Sequence, residues 1–230
     1  MRPLNLIKTV LFEGNIGVGK STLLSHITSA YSPKLVQVHR EPVENWMNIN
    51  GFDLLNALYT DSNRWTFAFE ISALLARIRN HSDARSNHRL HIFERSLLSC
   101  FHVFIRHDLE QKYLNDAEYR ILQDHFEFGL RNFMDLSTTA ILYFDLPPKE
   151  CYDRILKRSR PSETSIDLQR LEQLKLHYED FIYHFKACPV HIIDTTKSIE
   201  QTCEQVDAIL NGFIRRNQQH ETTQSSSNTE

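Results

Sequence analysis

The chain has 230 residues, 41% of them hydrophobic, enough to bury a sizeable core in one large domain or two small ones. A formal net charge of −3 gives no global field that would draw it to nucleic acid or an anionic membrane, so neither is expected as a partner. No apolar run approaches the ~20 residues that a membrane-spanning helix needs. In chain order, short runs rich in β-branched or aromatic residues predict strands at 6–12, 34–39, 90–94, 140–146 and 189–194. Apolar residues at i, i+3, i+4 and i+7 predict helices over 20–30, 62–80, 96–109, 116–135, 148–159, 166–186 and 198–215. This alternation predicts an α/β fold, a parallel sheet with helices on both faces, in a single domain over residues 1–216. Residues 217–230 contain no apolar side chain and predict a disordered polar tail. The polar break at 160–167 is a candidate mobile loop.

The first apolar stretch has no small-residue cleavage site and too little chain before it for a presequence, so the expected location is the cytoplasm. Cys100, Cys151, Cys188 and Cys203 lie far apart with no CxxC pair, as suits reduced thiols better than a disulfide frame or a zinc site. Two close histidine pairs, His88 with His91 and His102 with His107, come without a carboxylate or cysteine set at metal spacing and read as solvated or core-edge residues.

The first chemical signal is the stretch GNIGVGKST at 14–22, which holds three of the chain's six glycines. Gly14-x-x-x-x-Gly19-Lys20-Ser21 follows a strand and opens a helix, the setting of a phosphate-binding loop. A backbone wrapped round a phosphate must turn tightly and aim N–H groups inward, and side chains at Gly14, Gly17 and Gly19 would obstruct that. Asn15, Ile16, Val18 and Thr22 complete the loop. The helix that follows points its positive end at the anion. Lys20 can reach the outer phosphates of a nucleotide and Ser21 can hold Mg²⁺.

In an open α/β sheet, ligands sit beyond the carboxyl ends of the strands. Glu41 follows the second strand, Glu94 and Arg95 end the third, and Asp145 ends the fourth. A GTPase would carry DxxG and NKxD, and neither occurs. Acids and an arginine beside a phosphate loop suit phosphoryl transfer to a hydroxyl, one acid taking the proton and another holding the metal. Arg154 and Arg158, four apart on one helix face, and Arg160 just beyond precede the polar break, as arginines on a closing flap would.

Five segments, GNIGVGKST, EPVENW, LYTDSNRWTFAFE, ERS and RILKRSRPSE, resemble those of the deoxyribonucleoside kinases in order and spacing, across about residues 5–215. The resemblance implies a five-stranded parallel sheet with long helices, a homodimer, and ATP- and Mg²⁺-dependent phosphorylation of a deoxynucleoside 5′-hydroxyl. It implies Glu41 as general base, Arg95 as the residue orienting it, Ser21 and Glu94 at the metal, and Tyr59 with Glu163 on the sugar 3′-hydroxyl. Arg154, Arg158 and Arg160 match lid arginines. Trp46, Phe69 and Phe104, with Ile16 and Leu55, fall where the family packs the base.

One position departs from the pattern. The family reads the base with a glutamine, and here Glu70 stands in its place. An ionised carboxylate only accepts hydrogen bonds and suits guanine's adjacent donors, whereas a protonated one could read thymine. Glu70, Ala73 and Arg77 share a helix face, so Arg77 is expected to pair with Glu70. The aspartate that partners this arginine in deoxycytidine- and deoxyguanosine-type members is replaced by Cys100. Two competing readings are a nucleoside monophosphate kinase, which would want more basic residues where EPVENW offers an acid, and a non-catalytic nucleotide-binding module.

Overall fold

The computed structural model describes residues 6–84, 90–160, 163 and 165–227, with side chains through His220, so His88 lies outside the described residues. Five strands, β1 (Thr9–Gly14), β2 (Val36–His39), β3 (Leu90–Glu94), β4 (Thr139–Asp145) and β5 (Val190–Asp194), form one all-parallel sheet in the order β2-β3-β1-β4-β5. Both faces are covered, which is why the central strands read as nearly unbroken apolar runs. Their side chains alternate between two cores. Leu11, Phe93, Ile141 and Tyr143 face one, and Val10, Phe12, Leu142 and Phe144 face the other.

The second core is closed by α1 (Lys20–Ala30), α8 (Pro148–Arg158) and α10 (Ile199–Ser227), through Leu24, Ile27, Ile155, Val206 and Leu210. The first is closed by α4 (Ser62–Asp83), α7 (Asp116–Phe133) and α9 (Leu168–His184), which contribute Leu74, Leu122, Phe126, Leu174 and Tyr178. The segment expected as one helix at 96–109 is α5 (Leu97–Ser99), a π-helical stretch Cys100–Ile105, and α6 (Arg106–Glu110). Wider turns of this kind re-phase side chains and recur at functional sites. Here the stretch carries Cys100 and Phe104 to the cleft wall.

Two short helices, α2 (Val43–Met47) and α3 (Leu54–Thr60), were not predicted: five and seven residues are too few to show a helical period. Both α3 and α4 start at aspartate caps, Asp53 accepting from Asn56 N and Asp61 from Arg64 N. Helix α10 continues through Ser227, past 217 where composition predicted disorder. Asn217 is buried there, its Nδ2 donating to Ile7 O at 2.6 Å, and a helix already nucleated against the core extends at little cost per residue.

Candidate active site

A cleft of about 1110 Å³ opens beyond the carboxyl ends of β1, β2 and β3. Its floor is the 14–22 loop. Gly14 has φ 146° and a Cβ there would lie 2.6 Å from Phe144 O; Gly17 has φ 83° and a Cβ there would lie 2.5 Å from Cys151 O. These two glycines are therefore required both by backbone conformation and by close approach. Gly19, in the left-handed region, begins α1 without any side-chain cap, leaving first-turn N–H groups to face an anion. Ile16, Gly17, Val18, Gly19, Lys20, Ser21 and Thr22 all line the cleft. Gly14 and Asn15 support it from beneath. Gly14 O accepts from Lys20 Nζ and Arg95 Nη1, both at 2.9 Å, and Asn15 Nδ2 donates to Leu171 O at 2.8 Å.

Lys20 is buried, with Nζ also donating to Asn15 O at 2.9 Å. Burial, and next the neighbouring Arg95 charge, lowers its ammonium to about 7, so an arriving phosphate would restore the charge that the free site suppresses. Ser21 Oγ donates to Glu94 Oε1 at 2.5 Å, and Glu94 Oε2 accepts from Glu41 N at 3.3 Å. Beneath them Glu13, fully buried, accepts from Ser96 Oγ at 2.5 Å, and burial pushes its carboxyl up. Nothing in the apolar run around Glu13 marked it in advance.

Glu41 lies between two guanidiniums. Arg77 Nη2 donates to Oε1 at 2.5 Å and Arg95 Nε lies 3.4 Å from Oε2. Burial alone would raise the Glu41 carboxyl, but Arg95, Arg77 and Lys20 together outweigh it and hold the group below the ordinary carboxylate range. The expected Arg77–Glu70 pair is thus corrected: Arg77 turns to the stronger acceptor, the ionised Glu41, and spends Nη1 on Ala73 O at 3.0 Å. Arg95 has φ 64°, unfavourable for a side chain of its size. Its contacts with Glu41, with Gly14 O and with Tyr178 OH (2.5 Å) hold it there.

Beyond Glu41 the cleft turns apolar. Trp46 and Phe69 meet edge to face at 5.2 Å, Phe104 lies under the Arg95 guanidinium at 4.7 Å, and Leu55 and Ala73 fill the wall. Glu70 and Cys100 close this end, Cys100 Sγ lying 3.5 Å from Glu70 Oε2. On the opposite wall Arg158 and Arg160 both pair with Glu163, Arg160 Nη1 at 2.7 Å. Arg154 donates to Val18 O at 3.0 Å and Thr195 O at 3.1 Å, tying the arginine segment to the phosphate loop. Burial pushes the Tyr59 hydroxyl up to about 12, so it remains a donor beside Glu163. Arg170 also lines the cleft, over the Tyr59 ring at 5.5 Å, and no motif had flagged it.

A strand–loop–helix phosphate cradle, a lysine, an ionised acid and converging arginines on one cleft define a P-loop phosphotransferase of the α/β class. The deoxynucleoside kinase family model matches residues 10–215, and the chain belongs to that family. It is a kinase acting in deoxynucleoside phosphorylation. Among its relatives, human mitochondrial thymidine kinase 2 is 30% identical over 85% of this chain and 73% of its own length. Human deoxycytidine kinase is 31% identical over 90% and 91%, and a probable deoxycytidine kinase of fowlpox virus is 33% identical over 76% and 72%.

Proposed function

We propose that the cleft moves the terminal phosphoryl of ATP, with Mg²⁺, onto the 5′-hydroxyl of a deoxyribonucleoside. The observation that carries this reading is the ionised Glu41, fixed between Arg77 and Arg95 at the boundary of the phosphate loop and the apolar end. There Glu41 takes the hydroxyl proton, while Arg95 orients the acid and faces the incoming charge. Lys20, the loop N–H groups and Arg154, Arg158 and Arg160 receive the phosphates. Tyr59 and Glu163 hold the sugar 3′-hydroxyl, and Trp46, Phe69, Phe104, Ile16 and Leu55 pack the base.

The Ser21 hydroxyl and the Glu94 carboxylate, 2.5 Å apart beside the loop, are hard oxygen donors that suit Mg²⁺. Among the described residues no group of three or more His, Cys, Asp or Glu could hold a metal, and Mg²⁺ needs only one or two protein ligands when phosphates and water supply the rest. Bound there it would neutralise phosphate charge.

Replacing Glu41 with Gln tests the reading: turnover should fall by about 10²–10⁴ while ATP affinity stays. Unchanged turnover would remove Glu41 from the chemistry, and no ADP release with any deoxynucleoside would favour a nucleotide-binding module. Turnover of nucleoside monophosphates instead would favour the other kinase class.

A homodimer is supported by exposed Leu75 on α4 and by Ile121 and Phe128 on α7, the helix packed beside it. The free cysteines suit a reducing compartment such as the cytoplasm. No helix among the described residues is long and apolar enough to cross a membrane.

A further inference from the structure

The apolar end of the cleft contains an electrostatic arrangement that the kinase chemistry does not use. Glu70 is 3% exposed, and among the described residues it makes no ion pair. Its hydrogen bond comes from the Cys100 thiol, a weak donor. Two arginines, one on its own helix and one on α9, pair with other acids, each keeping a buried Nε with no hydrogen-bond partner. Arg77, on the same helix, serves Glu41 and Ala73 O, and Arg170, on α9, places Nη2 3.4 Å from Asp108 Oδ1. Asp108, on α6, is fully buried. His107 Nδ1 lies 2.9 Å from the same Oδ1, while Oδ2 is buried with no hydrogen-bond partner. Glu70 is therefore buried at the apolar end of the cleft without a cation of its own, and a carboxyl so placed is costly to ionise.

We propose that Glu70 reads the base as a neutral acid, and that the pocket therefore selects a pyrimidine deoxynucleoside. This rests on the deoxynucleoside kinase reading and names the substrate class within it. A protonated carboxyl presents one donor beside one acceptor. Against thymine its O–H donates to O4 and its carbonyl accepts from N3–H. Against cytosine its O–H donates to N3 and its carbonyl accepts from the amine. Because the proton can sit on either oxygen, one side chain serves both bases without turning over. Ionised, it would set a carboxylate against O4 or N3 and reject both, while still accepting from guanine's two adjacent donors. Burial first, and the Asp108 charge second, push the Glu70 carboxyl up to about 8, with Arg77, Cys100 and Arg170 acting in the other direction. Tyr59, from α3, keeps its proton and adds no charge.

The test is calorimetric binding of thymidine, deoxycytidine and deoxyguanosine to the full chain without ATP, from pH 6.5 to 8.8. The unaltered protein should bind the pyrimidines best at pH 6.5 and lose about tenfold in their affinity across that range, with a midpoint near 8. Glu70→Gln should bind them with no such dependence, and any titration of the bases themselves appears equally in both proteins. Pyrimidine affinity independent of pH in the unaltered protein, or tightest binding of deoxyguanosine at pH 6.5, overturns the assignment. If no deoxynucleoside binds, the kinase reading falls with it; if they bind without the pH dependence, only this inference does.

Discussion

Replacing Arg77 with Gln removes one of the two guanidiniums that hold Glu41 ionised. The Arg77–Glu41 contact is 2.5 Å between heavy atoms, with the two side chains 7% and 16% exposed. Two unit charges ~4 Å apart at an effective dielectric of ~20 interact by about 4 kcal/mol, which bounds the effect at roughly three pKa units. Arg95 and Lys20 remain, and water reaches the opened contact, so the Glu41 carboxyl should rise by only part of that bound. A base must be ionised to accept a proton. The acid limb of kcat/KM should therefore move to higher pH, the loss in rate being largest at the acid end and much smaller at pH 8. Initial rates of ADP release at subsaturating nucleoside across pH 4.5–9 measure it. A uniform loss at every pH, with the limb unmoved, would show that Arg77 acts by packing the wall against Trp46 and not by charge.

Gly17→Ala places a Cβ at φ 83° and 2.5 Å from Cys151 O, so it should cost about 2–4 kcal/mol in urea denaturation and abolish detectable ATP binding, whereas an unstrained ATP-binding variant would contradict the loop geometry. His81 is buried and stacked on Phe93 at 4.0 Å; burial first, then the charges of His39, Arg77 and His91, lowers it to about 3. The unfolded chain then binds more protons, so the stability contributed by neutral His81 is complete above pH ~6.5 and is lost as pH falls towards 3, with about 3 kcal/mol gone at pH 4. Thermal melts of His81→Phe should show a smaller loss between pH 7 and pH 4.5 than the unaltered chain, and parallel losses would exclude this histidine as the source. Phe128→Glu should convert the proposed dimer to a monomer in sedimentation equilibrium with turnover retained, and an unchanged mass would count against this face as the interface.

The turn of the glycine loop was legible because its physics is local. Glycines, lysine and hydroxyl act through one turn of backbone, and their spacing in sequence is their spacing in space. The strands were legible for a similar reason, since a strand buried on both faces leaves an apolar run. Contacts made across the fold were less so. Arg77 shares a helix face with Glu70 in sequence, yet the fold offers it Glu41, thirty-six positions away, as a better-ionised partner. The positive φ of Arg95 has no local signature, because tertiary hydrogen bonds impose it. Asp108 and Arg170 come from helices sixty-two positions apart, and only packing makes them a pair. The π-helical turns at Cys100–Ile105 looked like ordinary helix, since one extra residue per turn barely disturbs an apolar pattern six residues long.

The sheet order puts β1 and β3 side by side in the interior, so the phosphate loop and Arg95 are anchored to strands that have neighbours on either edge. The residues that meet the apolar end come instead from helices laid against that sheet, Glu70, Ala73 and Arg77 from α4 and Cys100 and Phe104 from the stretch after α5. One half of the machine is bolted to the chassis and the other is hung on its panels. Selection can therefore exchange side chains on the panels without disturbing the strand backbone that carries the loop and Arg95.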